Sequence, residues 1–161
     1  MGDEMNIFMQ IITNKCVYVP IAIWTIVQVM KIIIEYIKTR KINFRRLVGA
    51  GGMPSSHSAI VCALASCIGK EYGFDSGIFA IALIMAFVVM YDAAGVRRAA
   101  GKQAACLNKI IMDIYKQELK EAGGKLKELL GHTPMQVLVG AIFGVFYSYY
   151  MHILFKSLMN G

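Results

Sequence analysis

Four apolar runs separated by polar connections dominate the hydropathy pattern of this chain. Runs over about 16–37, 77–96 and 135–158 are each long enough to cross a bilayer as a helix. The remaining run, 58–69, would cover only about 18 Å as a helix, so it would need local bilayer thinning, snorkelling flanks or a re-entrant path. The pattern predicts an all-α integral membrane bundle of about four membrane helices in a single domain, 1–161.

A segment of a different character lies between the third and fourth apolar runs. Its apolar residues recur at helical spacing, with Lys, Asp and Glu at the other positions: Leu107, Ile110, Ile111, Ile114, Tyr115 and Leu119. This spacing predicts an amphipathic helix that lies on the membrane surface or packs against the bundle. Gly123-Gly124 would end it, and a short helix is predicted over 125–130.

Composition supports a membrane protein and excludes several other classes. Hydrophobic residues make up 57% of the chain and charged residues only 17%, with a formal net charge of +7. Aromatic residues lie within the apolar runs and not among Lys and Arg, which argues against a nucleic-acid platform. The four cysteines lack metal-ligand spacing and are interpreted as small apolar side chains. No metal or cofactor is expected.

Basic residues are unevenly divided between the connections. The first connection holds five of them, and the third begins with Arg97 and Arg98; the five are Lys38, Arg40, Lys41, Arg45 and Arg46. The positive-inside rule places these two connections in the cytoplasm and both termini outside. Candidate polar residues from four segments would then meet at the cytoplasmic face.

The most informative motif is Gly51-Gly52-Met53-Pro54-Ser55-Ser56-His57-Ser58, directly before an apolar helix. Backbone N–H groups and hydroxyls at a helix start can bind an anion, and glycines allow close approach to it. His57 could then give a proton to an oxygen that leaves a bound phosphate. The alternative is an ordinary hydrogen-bonded histidine, with Ser56 or Ser58 as the helix N-cap.

A second histidine stands in Gly131-His132-Thr133-Pro134, just before the fourth apolar run. An imidazole here could act as a nucleophile that accepts a phosphoryl group. The alternative is a plain helix entry, in which Thr133 caps the helix and Pro134 occupies its first turn.

Cationic side chains near the third run are candidates for phosphate contacts. Arg97 and Arg98 could hold phosphate oxygens through their guanidinium groups, and Lys102 could do similar work. Alternatively, the two arginines anchor the chain to anionic headgroups. Gly101-Lys102 lacks the spacing and the following Ser or Thr of a nucleotide P-loop.

Polar residues inside the apolar runs are candidates by default, because charge within a membrane segment is costly. Gln28, Lys31, Glu35 and Lys38 share one face of the first helix. Asp92 lies in the third run, where pairing with Arg97, Arg98 or Lys31 is favoured over orienting a histidine or binding a metal. Gly140 and Gly144 are interpreted as a close-packing pair, with a homo-oligomer contact as a further option.

These motifs resemble the divergent branch of the type 2 phosphatidic acid phosphatase (acid phosphatase and vanadium haloperoxidase-related) superfamily. The resemblance covers roughly 28–144. It rests on the Pro-Ser-Ser-His turn, on Tyr91-Asp92-Ala93-Ala94-Gly95-Val96-Arg97-Arg98 with Ala100-Gly101-Lys102-Gln103-Ala104, and on Leu130-Gly131-His132-Thr133-Pro134. The superfamily signatures are Lys-x6-Arg-Pro, Pro-Ser-Gly-His and Ser-Arg-x5-His-x3-Asp.

The resemblance implies a two-step reaction without a metal. His132 would attack phosphorus, His57 would protonate the leaving group, and Ser55 and Ser56 would hold phosphate. The remaining roles are more open: Lys38 and Arg45 resemble the first signature, with Lys31 as a rival lysine, and Arg97 or Arg98 would be the arginine of the third signature. Asp92 or Gln136 would orient an imidazole.

Three departures from the superfamily pattern bear on activity. Between Arg98 and His132 lie 33 residues, where the pattern has five. Gln136 stands at the position of the acidic residue, and a neutral amide cannot stabilise an imidazolium as a carboxylate does. Ser56 replaces the glycine of the second signature.

The resemblance implies a membrane phosphatase that acts on a lipid phosphate monoester at the cytoplasmic face. Phosphatidylglycerol phosphate, phosphatidic acid and isoprenyl phosphates are candidate substrates. The alternative is a catalytically weak or inactive protein that binds lipid phosphates as a scaffold. A bacterial plasma membrane is the expected location, with a plastid membrane as the other option.

Overall fold

The computed structural model describes residues 6–41, 52–114 and 131–159 of the chain. These residues form six helices: α1 (Ile7–Thr13), α2 (Lys15–Thr39), α3 (Ser56–Tyr72), α4 (Gly77–Ala94), α5 (Val96–Ile114) and α6 (Pro134–Met159). No strand occurs within the described ranges. The all-α prediction is therefore confirmed.

The four predicted apolar helices are all present, as α2, α3, α4 and α6. Three helical stretches are long and apolar enough to cross a membrane: Lys15–Thr39, Gly77–Ile111, which runs from α4 into α5, and Pro134–Met159. The other helix, α3, has 17 residues and is about 25 Å long. Among the described residues, the candidate spans therefore number three, and α3 is the short helix that the sequence predicted.

Helix α3 lies at the centre of the bundle and contacts α2, α4 and α6. Its inward positions carry small residues, and Ala59 and Ala63 pack against Ile23 and Val27 of α2 in the buried core. Small residues let helix backbones approach closely, which is how helices associate in a membrane. The first turn of α3 is consequently held between several helices, and the candidate site lies there.

Gly140 and Gly144 form the contact surface of α6 with α3. A Cβ atom on Gly140 would collide with the Ser55 carbonyl, and one on Gly144 with the Ala59 carbonyl. Both glycines are buried, as expected for a close-packing pair. They are used within the chain, so a homo-oligomer, which stays a prediction, would need another surface.

We expect Gly144→Ala to destabilise the bundle by about 1–3 kcal/mol, since the added methyl would push α6 away from the α3 backbone. Thermal unfolding in detergent measures this change. The matched control is Gly77→Ala, because a Cβ at Gly77 meets no other atom within 4 Å. Equal unfolding temperatures for the two variants would contradict the close packing.

Helix α5 is longer than the amphipathic pattern indicated. The apolar residues of that pattern begin at Leu107, whereas α5 begins at Val96, directly after the break at Gly95. Residues 97–106 contain Arg, Lys, Gln and four Ala, all of which favour helix. Arg97, Arg98 and Lys102 therefore lie on α5. The remainder of the predicted segment, including the helix over 125–130, lies outside the described residues.

The sequence did not predict α1, a short helix that directly precedes α2. Asn6 caps it, with its side-chain oxygen accepting a hydrogen bond from the Phe8 N–H at 3.1 Å. Several of its apolar side chains are exposed, including Ile7 and Phe8. An apolar helix of this kind suits the surface of a bilayer.

Candidate functional site

The Pro-Ser-Ser-His turn forms the beginning of α3 through three buried serines. Ser55 is the N-cap, and its Oγ accepts hydrogen bonds from the Ser58 N–H at 3.3 Å and the Ser58 hydroxyl at 3.0 Å. The Ser55 N–H donates to the Gln136 carbonyl of α6 at 3.0 Å. The cap is thus Ser55, and not Ser56 or Ser58 as the alternative interpretation of the motif had it. The bond between Ser55 and Gln136 ties the turn to α6.

Lys31 reaches this turn from the second half of α2. It is 4% exposed, and its Nζ donates a hydrogen bond to the Ser56 hydroxyl at 3.0 Å. Gly52 lies against its aliphatic stem and has a φ of 98°, a conformation that favours glycine. Lys38, in contrast, is exposed on the last turn of α2. Of the two lysines left open by the sequence, the structure brings Lys31 to the turn.

The two candidate histidines lie next to each other. Their ring centroids are 5.8 Å apart at an interplanar angle of 71°. The backbone N–H of His132 donates to the Ala93 carbonyl at the end of α4, at 3.0 Å. His132 is 3% exposed, and its buried Nε2 has no hydrogen-bond partner among the described residues. His57 is half-buried. Two imidazoles from distant parts of the sequence therefore share one site.

Gln136 has a different role from the one that the resemblance implied. Its Oε1 accepts a hydrogen bond from the Thr133 N–H at 3.0 Å, while its own N–H donates to the Thr133 hydroxyl at 3.3 Å. This reciprocal pair is a capping box at the start of α6. The Thr-x-x-Gln spacing was visible in the sequence and could have identified it. The side-chain oxygen of Gln136 is thus engaged in the cap and not in orienting His132.

Asp92 pairs with Arg97 across the break between α4 and α5. The Arg97 Nε–Asp92 Oδ2 distance is 2.6 Å, and the two side chains are 51% and 38% exposed. An ion pair this exposed adds little stability, but it holds the guanidinium beside the histidines. This is the pairing that the sequence analysis favoured for Asp92.

The remaining predicted cations are Arg98, Lys102 and Arg45, and Arg98 is half-buried. Arg98 presents its backbone to Gly131, where a Cβ would collide with it. Lys102 is exposed on α5, and Arg45 lies outside the described residues. The inner cluster consists of Lys31, Ser55, Ser56, His57, Arg97 and His132.

The surroundings of the two histidines keep both rings neutral at pH 7. Burial, followed by the positive charge of Lys31, lowers the pKa of His132 to about 4. Burial also lowers the pKa of His57, with Arg97 and Lys31 acting in the same direction and Asp92 opposing them. A neutral imidazole has a free lone pair on one ring nitrogen, so His132 has the electronic state of a nucleophile.

The pKa of His132 predicts how stability depends on pH. Because its pKa falls from 6.5 to about 4 on folding, the unfolded chain binds the extra proton between these values, and protonation favours unfolding. We expect the His132 contribution to be fully present above pH 6.5 and to be lost as the pH falls toward 4, at a cost of at most about 3 kcal/mol. Thermal unfolding at pH 7 and pH 4.5 measures it.

The matched variant for this pH effect is His132→Gln, which cannot titrate. Other groups change the pH profile of both proteins, so the difference between the two profiles isolates His132. Identical slopes between pH 6.5 and 4.5 would contradict the lowered pKa.

Taken together, these helices and this cluster define an integral membrane helical bundle with a cationic, two-histidine site at one end. The chain belongs to the Divergent PAP2 family, whose sequence model matches residues 12–147. The family to which the sequence motifs pointed is thereby confirmed.

One curated relative is described as an uncharacterized membrane protein, YuiD, from Bacillus subtilis (strain 168). It is 41% identical over 147 residues, which cover 85% of this chain and 93% of the relative. No solved structure matches the chain. Together with the three apolar stretches that can span a bilayer, the relative supports a membrane protein.

Proposed function

We propose that this protein hydrolyses a lipid phosphate monoester at the cytoplasmic face of the membrane. The observation that supports this proposal most directly is the pair of imidazoles 5.8 Å apart, beside a buried lysine that donates to Ser56. A phosphoryl group between the rings would have a nucleophile on one side and a proton donor on the other.

In the first step, the Nε2 lone pair of His132 attacks phosphorus. The bond from phosphorus to the lipid oxygen breaks, the electron pair goes to that oxygen, and His57 supplies its proton. The products are the lipid alcohol and a phosphohistidine. In the second step, water attacks phosphorus, His57 takes one water proton, and the P–N bond breaks to release inorganic phosphate.

The acid role of His57 requires a protonated ring, although its pKa is lowered in the free protein. A phosphate dianion beside the ring would favour the imidazolium, because an opposite charge raises the pKa of a base. Substrate binding would therefore favour the protonated form of His57, which gives its proton to the leaving oxygen in the first step. His132 would stay neutral because it is only 3% exposed and its pKa is lowered to about 4, whereas His57 is half-buried.

Phosphate oxygens would be held by the cations and hydroxyls of the inner cluster. Lys31 is already within hydrogen-bond distance of Ser56, and Arg97 is placed by Asp92. The Lys31 ammonium and the remaining N–H groups of the Arg97 guanidinium would both donate to phosphate oxygens. The remaining predicted cations would guide the headgroup toward the cluster: Lys38, Arg45, Arg98 and Lys102.

A lipid substrate is favoured because the site lies at one end of helices that can span a bilayer. Phosphatidylglycerol phosphate, phosphatidic acid and isoprenyl phosphates all present a terminal phosphate monoester to such a site. The basic first connection supports a cytoplasmic orientation under the positive-inside rule. A bacterial plasma membrane remains our proposal for its location.

A second candidate function is lipid-phosphate binding without turnover. It is favoured by one observation: within the described ranges, no carboxylate forms a hydrogen bond to His132, and Gln136 is committed to its cap. Without a carboxylate, the positive charge that develops on His132 is poorly stabilised. A protein of this kind would keep the cations and serines and act as a scaffold.

Trapping of the covalent intermediate tests the proposal. Purified protein in detergent is mixed with phosphatidic acid carrying ³²P, quenched in base and analysed for protein-bound label. We expect label that survives base and is released by acid, as a phosphoramidate bond requires, together with release of inorganic phosphate. Lipid that binds without labelling the protein and without releasing inorganic phosphate would establish the binding function instead. This result would have to hold for phosphatidylglycerol phosphate, phosphatidic acid and isoprenyl phosphates.

A further inference from the structure

A cavity with several charged lining residues lies at the opposite end of the bundle from the two histidines. It has a volume of about 350 Å³ and lies where α2 begins and where α3 and α6 end. Its charged and titratable lining residues are Lys15, Lys70, Glu71, His152 and Lys156. Since His57 occupies the first turn of α3 and Lys70 its last turn, nearly the whole of α3 separates the two sites.

Positive charge exceeds negative charge in this cavity. Lys15 is paired with Glu71, with Nζ–Oε distances of 3.0 and 3.3 Å. Lys70 places its ammonium 4.5 Å from the centre of the Tyr149 ring, an attraction that leaves its charge uncompensated. Lys156 has no ion-pair partner in the part of the chain that the structure describes. Among the described lining residues, three ammonium groups thus face one carboxylate.

Apolar residues border the same cavity. Phe155 lines it and packs edge-on against Tyr18, with ring centroids 5.7 Å apart. Met159 also lines it and is 78% exposed. The exposed apolar helix α1 precedes Lys15 at this end of the bundle. The cavity is thus lined by both charged and apolar side chains, as a site at the surface of a bilayer would be.

From this combination we infer that the cavity binds the phosphodiester headgroup of an anionic phospholipid. Lys70 and Lys156 hold the phosphate oxygens, and the Lys15–Glu71 pair forms the wall behind them. The acyl chains lie outside, along Phe155, Met159 and the exposed face of α6. A volume of about 350 Å³ is at the small end for ligand pockets, which suits a headgroup and not a whole lipid.

This site is independent of the proposed hydrolysis. A phosphodiester has no terminal phosphate to release, and the cavity lacks a pair of adjacent histidines. An anionic headgroup is favoured over a zwitterionic one, because the ammonium of phosphatidylcholine would bring a further positive charge to a cavity that already has an excess. The inference therefore concerns lipid binding at the other face of the membrane.

The experiment uses photoactivatable phosphatidylglycerol in vesicles with the full-length protein, and the labelled peptides are mapped. We expect label in residues 149–159, and we expect Lys70→Gln/Lys156→Gln to reduce it about fivefold for each lysine removed. Lys109→Gln, an exposed lysine on α5, is the matched control and should leave the label unchanged. Lys70→Arg/Lys156→Arg should retain it, which separates loss of charge from loss of folding.

Two further measurements distinguish a lipid headgroup from a soluble phosphate as the ligand of this cavity. Photoactivatable phosphatidylcholine should label the same peptide at least fivefold less, and millimolar glycerol phosphate should not displace the lipid. Equal labelling by the two lipids, or no effect of the double Gln variant, would overturn the inference. Displacement by glycerol phosphate at low concentration would assign the cavity to a soluble phosphate and overturn the lipid assignment. Label confined to the histidine end would overturn it as well, without affecting the proposed hydrolysis.

Discussion

Replacing His132 with alanine should abolish phosphate release from lipid phosphate monoesters while leaving most of the binding intact. His132 is the buried imidazole whose Nε2 has no partner among the described residues, so its removal takes away the attacking atom and no phosphate contact. Loss of a nucleophile in a covalent mechanism costs at least about a thousandfold in kcat. Binding should fall less than about tenfold, since Lys31, Arg97 and the serines remain. Phosphate release and equilibrium binding of phosphatidic acid measure the two effects.

Met135→Ala is the matched control for this experiment. Met135 lies three residues after His132 on the first turn of α6 and is 60% exposed, so its truncation tests for general disturbance of this helix start. We expect it to retain release. If His132→Ala still released phosphate at a rate close to that of the unchanged protein, the phosphohistidine mechanism would be excluded.

Replacing Lys31 with methionine should weaken ligand binding strongly and stability moderately. Lys31 is a charged side chain that is only 4% exposed, and its ammonium donates to Ser56. Removing a buried cation from an anion site costs about 2–5 kcal/mol of binding energy, which is about 30-fold or more in affinity. Methionine cannot donate to the buried Ser56 hydroxyl, so the free energy of unfolding should fall by about 1–3 kcal/mol.

Lys41→Met is the matched control, because Lys41 is exposed just beyond the end of α2. It should change neither the affinity for phosphatidic acid nor the unfolding temperature by a measurable amount. Thermal unfolding with and without the lipid provides both quantities. Unchanged affinity in Lys31→Met would show that the phosphate does not bind at this cluster.

The two variants separate the two candidate functions. An enzyme loses turnover in both, whereas a binding protein is affected by Lys31→Met and tolerates His132→Ala. Gln136 is the residue that makes this distinction necessary, because its side chain caps α6 through Thr133 where the wider superfamily has an acidic residue.

Much of this architecture follows from the sequence alone. The apolar runs predict α2, α3, α4 and α6 because a membrane helix needs a local and continuous stretch of apolar side chains. The Pro-Ser-Ser-His and Gly-His-Thr-Pro motifs pointed to the family by resemblance, and they predict the starts of α3 and α6 because these short segments carry their own turn and capping chemistry. Close packing of Gly140 and Gly144 is likewise visible in their spacing.

Other features were decided only by the tertiary structure. Whether Lys31 or Lys38 reaches Ser56 depends on where α2 crosses α3, and both lysines lie on the same face of one helix. The distance between His57 and His132 depends on α6 packing against α3 through its glycines. The start of α5 was missed because polar residues with high helix propensity resemble a connection when only hydropathy is considered. Local chemistry determined the helices and motifs, while contacts between residues far apart in the chain determined which side chains share the site.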